Sequence, residues 1–172
     1  MEKKPYDRRL FLRTVFIVGV ILLQLAEHGA KKVTLLNRTA ERAQKLIDTV
    51  HEHTNMEIEF LPLTNENLDL AASRCDFLMQ ATPQGLFGYP QDYEYLGFID
   101  KLRPDAVVME NIVNPHMTKF AAKSKENGHK LIYGVDMMLG QLAEIFEFFY
   151  GFAPSEESVE EAKKSVYHYF GF

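Results

Sequence analysis

Only one cysteine, Cys75, occurs among the 172 residues. A single thiol excludes a disulfide framework and a cysteine-based zinc site, and its ordinary role is that of a small buried hydrophobe. Basic runs interleaved with aromatics are also missing. The formal net charge is −5 and the pI about 5.7, so nothing here has the footprint of a nucleic-acid binder. Long apolar runs are scarce. The longest uncharged one, Thr14 to Ala26, follows the charged opening MEKKPYDRR and Arg13, and has 13 residues. A spanning helix needs about 18 to 20, so no membrane segment is expected. The histidines show no zinc-like spacing apart from His51-x-His53, which sits at a helix end and reads as solvated. No metal site and no catalytic triad can be read from residue order.

What is present is an alternation. Val15 to Val18 (VFIV) is a short continuous apolar run, the pattern of a strand buried on both faces of a parallel sheet. Val20 to His28 reads as a helix stopped by Gly29. Val33 to Leu36, Glu57 to Leu61, Asp76 to Gln80, Ala106 to Met109 and Lys130 to Tyr133 read as further strands. Between them, helices are expected over Ala40 to His51, capped by Thr39, over Leu68 to Ser73, and over Thr118 to Asn127. Two helices close the chain, about Asp136 to Tyr150 and Ser155 to Phe170. Ser158 and Glu161 would form a capping box if the last one starts late. Strands alternating with helices give an α/β fold, most simply a Rossmann-like doubly wound, mainly parallel sheet with helices on both faces. Residues 1–13 read as a lead-in and 14–172 as a single domain ending in two helices.

Ligands of such sheets bind beyond the carboxyl ends of the strands. Gly19 ends the first strand. After the second comes NRTAER, where an NAD-binding domain usually places an acidic residue for the ribose. Asn37 stands there instead, followed by Arg38, Thr39 and Arg42. A guanidinium pairs in a forked way with a 2′-phosphate, so this set selects NADP over NAD. The same residues also read as a helix cap followed by solvated arginines. The loop QATPQG offers Ala81 and Thr82 for a passing cofactor backbone, or is a simple turn. Asn111 and Asn114 follow the fifth strand, although Asn114-Pro115 is an ordinary turn signal. Gly134 permits close backbone approach after the sixth, and Gln141 lies on the next helix, where it meets a polar ligand or faces solvent.

In order and spacing, NRTAERAQKL, QATPQGLF, ENIVNPHMT and YGVDMMLGQLAEIFEFFYG resemble shikimate dehydrogenases over about residues 14 to 170. The resemblance is to their carboxy-terminal NADP-binding domain. It implies an oxidoreductase interconverting shikimate and 3-dehydroshikimate, a step in making aromatic amino acids, with NADP as cofactor. It also implies a cytoplasmic location. On this resemblance Asn37, Arg38, Thr39 and Arg42 match the family's clamp on the 2′-phosphate and ribose. Asn111 and Gly134 fall beside the nicotinamide, and Gln141 matches a glutamine that hydrogen-bonds the substrate.

Three departures accompany the likeness. The family has a tyrosine where Val113 stands. Its glycine-rich turn, reading like GAGGAA, is about six residues longer than the link at Gly19. Its substrate domain, with the catalytic lysine and aspartate, precedes a segment like this one, so no catalytic residue is assigned here. The expectation is an enzyme domain that is weak or inactive alone and takes a shikimate-like small molecule with a separate substrate-domain chain or as a homo-dimer. The alternative is a non-catalytic truncated Rossmann module that binds a nucleotide or a protein.

Overall fold

The computed structural model describes the backbone of residues 8–170, with side chains outside 8–17, 143 and 170. Part of the expected lead-in, residues 1–7, lies outside the described residues. The chain divides into two compact units, Met1–Ala71 and Ala72–Phe172. Helices alternate with parallel strands, as expected of the α/β class.

The first unit begins with α1, Arg8–Glu27. This corrects the first expected element: Val15 to Val18 is helical, not a strand. A short apolar run is compatible with either state, and periodicity over four residues does not separate them. The residues downstream decide between the two. No proline or turn cluster interrupts the chain before Gly29 (φ 91), so the run joins the next segment as one helix. Gly19 is therefore buried in mid-helix and not at a strand-to-helix turn.

After α1 come β1 (Lys32–Asn37), α2 (Ala40–His51), β2 (Glu57–Pro62) and α3 (Asn65–Ala72). In α2, Ala43, Leu46, Ile47 and Val50 lie at helical spacing, and all four are buried. β1 and β2 pair in parallel from Lys32↔Glu57 to Asn37↔Pro62. Leu22, Leu46, Val50 and Met56 form the buried centre, with Val18, Leu23, Ala26, Val33, Leu35 and Ile58 packed on it. α1 thus contributes an apolar face to α2 and the sheet, which stabilises the helix more than its propensities do.

Gly19 sits where α1 meets α2. A Cβ there would lie 3.3 Å from Leu46 Cδ1, the mobile end of a side chain. Alanine gains about 0.8–1 kcal/mol over glycine in a helix interior, and Leu46 has only tenths of an ångström to yield. Gly19→Ala is expected to leave stability unchanged or raise it by about 0.5 kcal/mol in urea unfolding. A loss of about 1 kcal/mol or more would contradict the helical placement.

The second unit contains β3 (Phe77–Gln80), a 3₁₀ turn (Gly97–Lys101), β4 (Val107–Glu110), α4 (Lys119–Glu126), β5 (Lys130–Ile132), α5 (Gly134–Tyr150) and α6 (Glu156–Phe170). Its sheet has the order β3-β4-β5, all parallel. Phe98, Ile99, Val108, Ile112, Phe120, Ala121, Val135 and Leu139 are among its buried apolar residues, with Phe120 stacked against Tyr93 and Phe98. The Thr118 hydroxyl caps α4 by accepting the Ala121 N–H at 3.1 Å. The last helix does not start late: Ser155 Oγ accepts the Ser158 N–H at 3.2 Å, so Ser158 and Glu161 are not its capping box.

Among the described residues five strands form two sheets, β1-β2 and β3-β4-β5. In the doubly wound order 3-2-1-4-5-6, the first strand stands between the second and the fourth. The segment expected to supply that strand is helical here, which is why no single ladder runs through all the strands.

Candidate functional site

In the first unit the expected residues gather where β1 runs into α2. Asn37 is the last residue of β1, and its side-chain oxygen accepts the Thr39 N–H at 3.0 Å. That bond turns the chain into the helix. Thr39 occupies the N-cap position with extended backbone, but its side chain makes no cap bond. Thr39 is thus the N-cap by position without a side-chain cap bond, and Asn37 instead closes an Asx turn onto its N–H. Arg38 and Arg42 are exposed at the same end. Two guanidinium groups beside a helix amino terminus favour a bound anion. Glu41 in the same turn subtracts from that field.

Gly19 contributes no such end. Inside α1 its N–H belongs to a helical ladder, so no glycine turn with free N–H groups is available there for a pyrophosphate. An open depression of this unit, lined by Ala26, Gly29, Lys31, His53 and Met56 among others, lies by the amino ends of β1 and β2, away from Asn37 to Arg42.

In the second unit the expected residues stand on a polar latch that sequence reading did not identify. Glu110, the last residue of β4, is fully buried. Its Oε2 accepts the Thr118 hydroxyl at 2.6 Å, and its Oε1 accepts the Ile112 N–H at 3.0 Å and the Gln80 amide at 3.2 Å. Gln80 ends β3, is paired in register with Glu110, and also donates to the Thr82 carbonyl at 3.0 Å. Its side-chain oxygen accepts the Thr82 N–H. Asn111 Nδ2 donates to the Gln80 carbonyl at 2.7 Å. One buried carboxylate thus ties the loop after β3 to the loop after β4. The sign available in sequence was a charged residue ending the otherwise apolar AVVME.

Burial pushes the Glu110 carboxyl above its ordinary range, opposed by the bonds from Thr118 and the backbone. The Tyr93 phenol is also pushed well up, by burial first and then by Glu110. Burial lowers His116, whose ring packs 4.3 Å from that of Tyr133. The half-buried Cys75 thiol is raised by burial and lies 3.6 Å from the Ala72 carbonyl.

Ala81 and Thr82 are exposed on the rim, Val113 is half-buried, and Gln141 is exposed on α5. Asn111 Oδ1 is buried and has no hydrogen-bond partner among the described residues. Such an orphan acceptor is uncommon and costs stability unless a donor reaches it. Gly134 opens α5. A Cβ there would lie 2.5 Å from the Ile112 carbonyl oxygen and 2.8 Å from the Asn111 carbonyl carbon. The close approach that calls for glycine is therefore to the chain's own backbone. Among the described residues no group of three histidine, cysteine or acidic side chains could hold a metal ion, and no helix is long and apolar enough to cross a membrane.

Comparison with known proteins gives these residues a context. The family described as shikimate / quinate 5-dehydrogenase matches residues 16–86. The shikimate dehydrogenase (NADP(+)) of Alkaliphilus oremlandii is 34% identical over 128 residues, which is 74% of this chain and 44% of that protein. A quinate dehydrogenase from Corynebacterium glutamicum, solved in complex with NAD, superposes with a TM-score of 0.73 at 21% identity, covering 86% of this chain and 51% of that one. A Listeria monocytogenes shikimate 5-dehydrogenase, in complex with shikimate and NAD, gives 0.72 at 22% identity, covering 88% and 60%. These two likenesses show the Rossmann-like fold. The chain spans about half the length of the curated relatives it matches.

Proposed function

Because this chain belongs to the shikimate dehydrogenase family, we propose that it is the NADP-binding part of an oxidoreductase interconverting shikimate, or a related polyol acid, with its 3-dehydro form. The cofactor, when bound, supplies and accepts the hydride; the protein orients it and its partner carbon. The observation that carries this reading is the set at the end of β1: Asn37 in place of an acidic residue, with Arg38 and Arg42 exposed beside a helix amino terminus. Arg38 and Arg42 hold the 2′-phosphate and Asn37 and Thr39 border the ribose. In the second unit the unpaired Asn111 Oδ1 suits an amide donor such as a nicotinamide carboxamide. Gln141 and Val113 line the substrate side, with no tyrosine hydroxyl at 113. Within the first unit the residues fit the 2′-phosphate end of the cofactor better than its pyrophosphate, since Gly19 offers the latter no cradle.

The reaction also needs a proton donor and acceptor, which we assign to a substrate-binding polypeptide outside this sequence. The work is cytoplasmic. A second reading, a non-catalytic Rossmann module that binds a protein partner, is favoured by the helical placement of Gly19, which leaves a pyrophosphate without a cradle.

The test is a thermal-shift titration with NADP⁺ and NAD⁺. NADP⁺ is expected to raise the midpoint more. Arg38→Ala is expected to weaken NADP⁺ by about 10- to 100-fold, the worth of a charge-assisted pair, and to leave NAD⁺ unchanged. Equal absence of response to both nucleotides would overturn the clamp. Assaying NADPH-dependent reduction of 3-dehydroshikimate, with and without a substrate-domain polypeptide, then separates the two readings.

A further inference from the structure

The buried carboxylate of Glu110 brackets its neighbour, Asn111. Oε1 accepts the Ile112 N–H at 3.0 Å, two residues on, so the chain closes into a turn with Asn111 at its middle. The same oxygen accepts the Gln80 amide at 3.2 Å, and Gln80 and Glu110 are in register across β3 and β4. Oε2 accepts the Thr118 hydroxyl at 2.6 Å, which fixes the rotation of the carboxylate. Asn111 therefore leaves the sheet at a set point, beside the end of β3.

That point decides which way round the Asn111 amide stands. Its Nδ2 donates to the Gln80 carbonyl at 2.7 Å. Only the NH₂ half can face a carbonyl, because the reverse arrangement sets two oxygens against each other. Oδ1 is thereby turned the other way, buried and with no hydrogen-bond partner among the described residues. The Gln80 side chain does not serve it. Its NH₂ donates to Glu110 and to the Thr82 carbonyl, and its oxygen accepts the Thr82 N–H. A buried amide oxygen left in this way takes a donor and disfavours an anion.

We infer, on the cofactor reading, that Glu110 is a positioning residue for the nicotinamide end of the site. By closing the turn around Asn111 it presents a ligand with an acceptor, and so selects a neutral carboxamide over the corresponding carboxylate. Glu110 is fully buried and acts through Asn111.

Isothermal titration calorimetry with three probes tests this. They are NADP⁺, its nicotinic-acid analogue, in which a carboxylate replaces the carboxamide, and 2′,5′-ADP, which lacks the nicotinamide end. The wild type is expected to bind NADP⁺ about 10- to 100-fold more tightly than the acid analogue, the effect of a buried acceptor left unpaired. Asn111→Ala is expected to cut that ratio to about twofold or less. Glu110→Met, similar in length but without an acceptor, is expected to do the same. Adding it to Asn111→Ala should lower the ratio no further, since both act at one atom. Glu110→Gln keeps an oxygen for the Ile112 N–H and is expected to restore the wild-type ratio. None of these variants should change the affinity for 2′,5′-ADP, which a general loss of structure would lower. Glu110→Met leaves buried donors unpaired, so its titration is run below its melting temperature, with circular dichroism as the check on folding. If it does not fold, Asn111→Ala still decides, because it removes none of the acceptors that Glu110 supplies. Equal wild-type affinity for NADP⁺ and the acid analogue, with 2′,5′-ADP bound, overturns this inference alone. So does a full wild-type ratio in Asn111→Ala or in Glu110→Met. Absence of binding by all three probes overturns the cofactor reading and this inference with it.

Discussion

Gly134→Ala is expected to destabilise the second unit by about 3 kcal/mol, a drop in melting temperature of roughly 10–20 °C for a unit of this size. The added methyl would stand 2.5 Å from the Ile112 carbonyl oxygen, well inside van der Waals contact. What it meets is backbone, at the point where the β4 loop is fixed by Glu110, so the neighbour has no rotamer into which to withdraw. Either α5 shifts outward, unseating Val135 and Leu139 from the core, or the Asn111–Ile112 peptide moves and breaks the latch. Alanine's advantage over glycine in a helix, about 1 kcal/mol, is too small to offset this. Gly140→Ala provides the contrast. It lies in the same helix with nothing within 4 Å of a Cβ, so the propensity term stands alone and stability should rise by about 0.5–1 kcal/mol. Urea unfolding of both variants checks the pair. Similar shifts of the same sign would show that the Ile112 contact is not what requires glycine.

Glu110→Ala is expected to be at least as severe, about 3–5 kcal/mol, with an unchanged urea slope. It leaves the Ile112 N–H and the Thr118 hydroxyl without their acceptor in a buried place. Glu110→Gln keeps the shape and isolates the proton. Since burial raises the folded-state pKa of Glu110, its folded form holds a proton that the unfolded chain releases near pH ~4. Below that pH both states are protonated and the contribution is fully present. As pH rises from about 4 through the raised folded value, the unfolded state ionises first and stability falls, levelling once the buried carboxyl has ionised too. Asp92 and Asp100 are held low by Lys119 and by Asn127 with Lys123, so their contributions are lost at the acid end. The wild type minus Glu110→Gln difference, measured across pH, removes them. A flat difference above pH ~4 would contradict the raised carboxyl.

These two positions also mark where sequence reading reached and where it stopped. The turn from Asn37 to Arg42 was legible because its residues are contiguous and its geometry is local: a strand end, a short polar turn and a helix with buried positions four residues apart. Gly134 was noticed for a correct reason, close backbone approach, but what approaches is Ile112, twenty-odd residues away in sequence, and no local pattern names it. Glu110 joins partners from three separate segments, Gln80, Ile112 and Thr118, so its role exists only once β3 and β4 have paired. Val15 to Val18 failed differently. Its composition suits a buried strand and a buried helix alike, and the outcome depended on the absence of any break before Gly29.

Helix in place of that first strand also alters how the chain can find its fold. Lys32 meets Glu57 across β1 and β2 after 25 residues, and Gln80 meets Glu110 across β3 and β4 after 30. A strand at residues 15–18 pairing with the one at Phe77 would have required a loop about twice as long to close before any ladder bond formed. Parallel pairing is ordinarily slow because such closures come first. Here every ladder joins strands adjacent in sequence through one crossover, which gives each sheet a short-range route to its own nucleus.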